Sequence, residues 1–138
     1  MSTQVEIKID DNKLLKATEN SINLLKESIK NLIKIYHTDG FPDENNCFEN
    51  NEFKVKITNQ IEISMPNKKI KISSWNEKID DFSFNLSEGE KEMEFNSFEI
   101  KPMNINELKI LSRFNLNMDI LISDLNKELE EKYNPPSY

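Results

Sequence analysis

The chain has 138 residues, and its 25 acidic side chains against 18 basic ones give a net charge of −7 with the single histidine neutral. This length predicts a single domain, covering residues 1–138, with one hydrophobic core. Because the net charge is negative, the protein as a whole repels nucleic-acid backbones and anionic membrane surfaces. We therefore expect neither a direct nucleic-acid partner nor a membrane partner.

Residue counts exclude several kinds of active site and metal site. The two glycines, Gly40 and Gly89, lie too far apart to form a glycine-rich phosphate loop or a dinucleotide-binding fingerprint. A single histidine, His37, and a single cysteine, Cys47, cannot supply the ligands of a structural zinc site. The same pair could form a catalytic dyad, but we interpret them as a helix-terminal histidine and an inert cysteine. We therefore expect no enzyme activity, no cofactor and no metal.

The chain carries no sequence signal for export or membrane insertion. Its first residues lack the apolar segment of a signal peptide, and its longest unbroken apolar run is Ile120-Leu121-Ile122. A single cysteine cannot form an intramolecular disulfide, which suits a reducing compartment. These features predict a cytoplasmic protein.

The N-terminal part of the chain is predicted to form a short strand and then a long helix. Apolar and polar residues alternate over residues 4–9, which is typical of a half-buried strand. Asp10 and Asp11 can cap a helix whose apolar residues then recur every three or four positions as far as Tyr36. We expect this helix to end at Gly40.

An acidic loop and a first hairpin are predicted next. Residues 38–53 contain five acids and no lysine, so we expect a loop between the helix and the sheet. From Phe53 onward the odd-numbered residues are apolar, which predicts antiparallel strands. Either a three-residue loop over residues 58–60 keeps Ile57 opposite Ile61, or this stretch is one long bent strand.

A second hairpin is predicted over residues 82–95. Apolar and polar residues alternate on both sides of a turn at residues 87–90. A four-residue loop there pairs Phe84 with Met93. The alternation slips after the return strand, which predicts a β-bulge at residues 96–97.

The last predicted helix begins at a capping box. Asn104 and Glu107 have the spacing at which a capping side chain and a returning carboxylate satisfy each other's backbone N–H groups. Apolar residues then recur on three-and-four spacing as far as Leu129, and the prolines at 135–136 end the helix.

These elements together predict an α+β fold. Its parts are a short N-terminal strand, a long helix, an antiparallel meander of four to five strands in two hairpins, and a long C-terminal helix. The two helices can pack on each other or both on one face of the sheet, and the sequence favours neither arrangement.

A row of carboxylates is the strongest functional signal. Glutamates occupy every second position from residue 88 to residue 94, so in an extended chain they share one face at intervals of about 6.7 Å. In the predicted register their cross-strand neighbours are neutral, so no cation compensates the row. Residues 77–99 carry eight acids and two lysines, a net charge of −6. We expect this hairpin to bind a basic protein surface through Asp80, Asp81, Glu88, Glu90, Glu92 and Glu94.

The same carboxylates have two other interpretations. They could form a solvated sheet face that discourages pairing with other chains. They could also bind a metal ion.

A lysine-rich stretch has the opposite charge. Residues 54–71 carry five lysines and one glutamate, a net charge of +4, with Trp75 beside them. A basic face with an aromatic neighbour could bind single-stranded nucleic acid, but such surfaces usually present several stacking rings. We therefore interpret these lysines as solubilising the hairpin.

The apolar stripes of the two helices could also form a seam between two copies of the chain. Asn115 interrupts the stripe of the last helix, where a buried amide either fixes the register of packed helices or turns towards solvent. The stripes leave room for a homodimer. Its seam would consist of Leu25, Leu32, Asn115, Met118, Ile122 and Leu125.

The leading hypothesis is a non-catalytic cytoplasmic interaction protein whose acidic hairpin binds a basic partner, for example as an inhibitor of a nucleic-acid-binding protein. Short acidic chains without catalytic motifs are typical of inhibitors carried by phages and mobile elements. The alternative is a homo-oligomeric scaffold or chaperone-like subunit that binds clients through apolar surface of its helices and sheet.

Overall fold

A computed structural model describes residues 10–42, 45–76, 78–79, 82–96 and 100–133. The fold is α+β, with a helix, a six-stranded antiparallel sheet in simple meander order and a second helix. The predicted strand at residues 4–9 lies outside the described residues, and the predicted bulge at 96–97 lies partly outside them. The elements are α1 (Asp11–Asp39), β1 (Cys47–Glu49), β2 (Lys54–Ile57), β3 (Ile61–Met65), β4 (Lys68–Trp75), β5 (Phe82–Glu88), β6 (Lys91–Phe95) and α2 (Ile105–Tyr133).

Both helices begin at the caps that the sequence predicts. The Asp10 carboxylate accepts a 3.0 Å hydrogen bond from the Asn12 backbone N–H at the start of α1. At the start of α2 the Asn104 side chain accepts from the Glu107 N–H at 2.8 Å, and the Glu107 carboxylate accepts from the Asn104 N–H at 3.3 Å. The helix α1 ends at Gly40, whose positive φ of 71° favours glycine.

Strand β1 corrects the prediction of a loop over residues 38–53, and the pairing of β2 with β3 decides between the two predicted forms of the first hairpin. Strand β1 lies inside the stretch that was expected to be an acidic loop. The strand is only three residues long, with Phe48 as its single buried side chain, so it has too few residues to reveal an alternation. Farther along, Ile57 pairs with Ile61, which confirms the three-residue loop and not the single bent strand.

The register of the second hairpin differs from the prediction by two residues. Glu88 pairs with Lys91 across a two-residue turn, so Phe84 pairs with Phe95 and not with Met93. The rings of Phe84 and Phe95 are stacked with centroids 5.0 Å apart. Gly89 has a φ of 59°, and glycine at the first central position favours a two-residue hairpin turn over the predicted four-residue loop.

The two helices run parallel and lie side by side on one face of the sheet. The Asn115 amide of α2 donates to the Ser21 carbonyl of α1 at 3.1 Å, and the Tyr133 hydroxyl donates to the Asp39 carbonyl at 3.0 Å. Both contacts join residues 94 positions apart, so the helices keep one alignment over five turns. Each helix therefore contacts the other as well as the sheet, and both arrangements left open by the sequence occur together.

The residues expected to form a seam between two copies instead pack within one chain. Leu25, Leu32 and Leu125 have no exposed surface, and Met118 is 1% exposed. Asn115 bonds to α1 of the same chain, and Ile122 packs against the same core. The three leucines and Met118 therefore face the core of their own chain, whereas Asn115 and Ile122 are half-buried.

Candidate functional site

The face of the sheet opposite the helices is polar and has an ordered charge pattern. Pairing across the strands aligns its side chains in two lateral rows. The lysines stand on β2 and β4, neutral residues stand on β5, and glutamates stand on β6. The rows, read from β1 to β6, are Cys47, Lys56, Glu62, Lys71, Asn85, Glu94 and Glu49, Lys54, Ser64, Lys69, Ser87, Glu92.

The predicted row of four glutamates is divided between the two faces. Glu88 pairs with Lys91 on the helix side of the sheet, Glu90 lies in the turn, and only Glu92 and Glu94 share the open face. The expectation that all four share one face is therefore wrong. The two-residue turn causes this, because it places Glu88 on the same face as the odd-numbered residues of β6.

Glu88 is compensated by a cation. The Arg113 guanidinium of α2 binds it with two hydrogen bonds, Nη2 to Oε1 at 2.6 Å and Nε to Oε2 at 3.1 Å. These bonds lower the pKa of the Glu88 carboxyl, against the opposing effect of its partial desolvation. Glu88 therefore fastens the hairpin to α2, a role that the sequence analysis missed. Arg113 is the only arginine of the chain, but nothing in the sequence identifies its partner.

Glu90, Glu92 and Glu94 remain exposed, and we call these three residues the acidic edge. The residues opposite Glu92 and Glu94 are Ser87 and Asn85, which are neutral, as the sequence analysis expected of the cross-strand neighbours. Within the described part of the chain no lysine or arginine forms an ion pair with the acidic edge. Because β6 is the last strand of the described sheet, these exposed carboxylates lie at the sheet's margin. The other two predicted site residues, Asp80 and Asp81, lie outside the described residues.

The lysines of the open face surround a single glutamate, Glu62, and compensate its charge. Lys69 Nζ lies 2.6 Å from Glu62 Oε1. The hydrogen bond from Lys69, helped by the charges of Lys71 and Lys56, lowers the pKa of the Glu62 carboxyl. The lysines stand on the polar side of their strands, as the sequence pattern predicts.

Trp75 does not belong to the lysine face. A register shift between Ile72 and Ser74 turns the end of β4, so that Trp75 pairs with the buried Phe82 and points towards the helices. There the indole Nε1 donates to His37 Nε2 of α1 at 3.0 Å. Neither lateral row contains an aromatic ring, so a surface for stacking nucleobases is not formed by these two rows.

A cleft of about 400 Å³ runs beside β6. The cleft lies between this strand, α1 and the segment that leads into α2. Ile22, Met93 and Met103, all of them buried apolar residues, form its floor. Charged side chains also line the cleft, namely Glu92, Glu94, Lys101 and Glu107. Sequence reasoning could not find this cleft because three segments far apart in the chain form it.

The described residues contain no group of three histidine, cysteine or acidic side chains that could hold a metal ion. His37, the one histidine, bonds to Trp75 at the end of α1. Among the described helices, none is long and apolar enough to cross a bilayer. Comparison with protein-family models, curated proteins and solved structures found no match for this chain.

Proposed function

We propose that this chain is a non-catalytic, cytoplasmic interaction protein that binds a basic surface of a partner protein through the acidic edge. The observation that supports this most strongly is the exposure of Glu92 and Glu94 beside neutral neighbours at the margin of the sheet. Glu88, which belongs to the same hairpin, is already paired with Arg113 and is not available to a partner in the same way.

Uncompensated charges at a margin suit recognition of an oppositely charged protein. Such charges attract and orient a partner before contact, and they repel partners of like charge. A basic surface that normally binds nucleic acid is a suitable target, because the carboxylates would compete there with phosphates. Inhibition of a nucleic-acid-binding protein is therefore the form of this function that we propose.

Charge reversal at the acidic edge tests the proposal. The test variant carries Glu90→Lys, Glu92→Lys and Glu94→Lys and keeps the Glu88–Arg113 ion pair. A control variant carries three reversals at exposed positions of α2, namely Glu128→Lys, Glu130→Lys and Glu131→Lys, and has the same net charge. Wild type and control are expected to capture the same basic protein from a cell lysate and to release it as salt is raised. The test variant is expected to lose it.

Capture of that protein by the edge variant as efficiently as by the control would contradict the proposal. Sedimentation at several protein and salt concentrations provides a second readout. An oligomer that forms regardless of salt, and that binds clients equally well after charge reversal, would favour the homo-oligomeric scaffold function instead.

A further inference from the structure

Strand β6 presents backbone groups as well as charge at the margin of the sheet. In an antiparallel hairpin with a two-residue turn, the residues flanking the turn exchange both backbone hydrogen bonds. Glu88 and Lys91 hold those positions, so the backbone N–H and C=O groups of Glu92 and Glu94 point away from β5. The two residues that carry the acidic side chains therefore also carry the outward-facing backbone groups.

The two sides of this margin differ in chemistry. Met93 and Phe95 point to the helix side, where the cleft has an apolar floor of Ile22 and Met103. Glu92 and Glu94 point to the open side. An extended segment laid beside β6 would therefore place alternate side chains over the apolar floor of the cleft, whose lining also includes Lys101 and Glu107, and next to the carboxylates of the open side.

We infer that β6 accepts an extended segment of the partner as an added strand, with basic side chains at alternate positions and apolar side chains between them. This inference rests on the proposed function and names the kind of segment that the acidic edge recognises. Main-chain hydrogen bonds supply affinity in this mode of binding, and the alternating side chains supply specificity.

Charge favours this occupant over the others. A second copy pairing through its own β6 would bring the glutamates of both copies onto neighbouring positions, where like charges destabilise a strand pair. Nucleic acid would bring phosphates to the same carboxylates. A basic segment is attracted by the same carboxylates that repel a second β6 strand and nucleic acid.

Two synthetic eight-residue peptides test the inference on the full chain. One alternates lysine and valine, and the other has four lysines followed by four valines. Both have the same composition and charge, but only the alternating peptide separates its lysines and valines onto opposite faces of a strand. The alternating peptide is expected to bind roughly tenfold more tightly, which corresponds to about 1.4 kcal/mol.

Two substitutions at one position separate charge from strand addition. Glu94→Gln removes the charge and keeps the backbone N–H, whereas Glu94→Pro removes both. Proline is tolerated at an edge position whose N–H faces outward, so the β5–β6 ladder should survive, as circular dichroism would verify. The glutamine variant is expected to lose about two- to fivefold in affinity for the alternating peptide, and the proline variant at least about tenfold.

The outcomes distinguish the inference from the proposed function. Equal losses in the two variants, or equal binding of the two peptides, would overturn strand addition and leave charge-based docking standing. No loss in either variant, together with no loss on reversing the acidic edge, would overturn both.

Hydrogen exchange in the wild type covers the case in which the proline variant fails to fold. Strand addition predicts that the alternating peptide slows exchange at the Glu92 and Glu94 amides. Amides that already exchange slowly in the free protein, with no peptide binding, would show that another occupant, such as the chain's own residues 4–9, holds this edge, and would overturn the inference.

Discussion

Thr18 is the one polar side chain in the buried core of the described residues, and it joins two parts of the fold. Its hydroxyl donates to the Leu14 carbonyl at 2.7 Å and accepts from the Met103 backbone N–H at 3.0 Å. The second bond ties α1 to the segment that leads into α2. Sequence periodicity treats a threonine at such a position as an interruption of the apolar stripe, so the pattern alone gives no hint of this link.

Replacing Thr18 with valine is expected to lower the free energy of unfolding by about 1–3 kcal/mol. Valine has nearly the same shape but leaves the buried Met103 N–H without its acceptor. Chemical denaturation measures the change, and Thr18→Ser, which keeps the hydroxyl but loses a buried methyl group, measures the cost of the lost packing alone. A valine variant as stable as wild type would show that this hydrogen bond contributes nothing.

The ion pair between Glu88 and Arg113 predicts a pH-dependent contribution to stability. Arg113 lowers the pKa of Glu88 in the folded protein below the ordinary carboxyl value of 4.5. Its contribution is therefore complete above about pH 4.5 and is lost as the pH falls through the lowered folded value. We expect Glu88→Gln to lower the free energy of unfolding by about 0.5–1 kcal/mol at pH 7.

The same comparison at a pH below the lowered folded pKa of Glu88 supplies the contrast. There the carboxyl is protonated in wild type too, so the two proteins should approach equal stability. Glu90→Gln controls for loss of a surface charge, because Glu90 lies two positions from Glu88 and has no ion pair among the described residues. A difference between Glu88→Gln and wild type that is the same at both pH values would exclude the ion pair as its cause.

At the scale of elements, the sequence predicts those features that depend on interactions between residues close together in the chain. Both helices begin at side-chain caps that three or four neighbouring residues define, and the apolar alternation identifies the inward faces of five of the six strands. What the sequence missed depends on nonlocal pairing. Strand β1 needs β2 beside it, and the outward or inward direction of Trp75 depends on one register shift in β4.

The candidate site shows the same division. The sequence shows the glutamates at alternate positions. It does not show that Glu88 lies on the other face of the sheet, because residues 87–90 are compatible with both a two-residue turn and a four-residue loop. The compensation of Glu88 by Arg113 joins residues 25 positions apart. The cleft beside β6 depends on where α1 crosses the sheet.

The contact between α1 and β4 gives a spectroscopic prediction. Trp75 is the only tryptophan, and its indole N–H donates to His37 Nε2 at 3.0 Å. His37→Leu removes the acceptor and leaves the indole N–H without this hydrogen bond, so tryptophan emission should change. His37→Gln keeps an acceptor and serves as the control. An emission spectrum of the leucine variant identical to that of wild type would contradict the contact.

At the scale of the whole molecule, one chain completes its own core. The parallel helix pair covers one face of the sheet, and the buried side chains of α1, the sheet and α2 form one cluster. The open face of the sheet carries charged side chains in two lateral rows. The molecule thus separates a stabilising face from a polar face, and the acidic edge lies where the two meet.

Two adjacent leucines of α1 test this description of the core. Leu25 is fully buried, whereas Leu24 is 63% exposed. We expect Leu25→Ala to lower the free energy of unfolding by about 2–5 kcal/mol and Leu24→Ala to change it by about 0.5 kcal/mol or less. The unfolding midpoint of wild type should not depend on protein concentration. A concentration-dependent midpoint, or equal effects of the two substitutions, would instead indicate a core shared between copies.

The central claim is that the acidic edge on β6 is where a basic segment binds. Amide chemical-shift mapping of the full chain by NMR, with the alternating lysine and valine peptide as probe, tests it most directly. The account predicts that the largest shifts fall on Glu92, Glu94 and their neighbours in β5 and β6, and that they vanish in the variant with the acidic edge reversed. Shifts centred on the lysines of β2 and β4 or on the outer surfaces of the helices, with β6 unchanged, would contradict it.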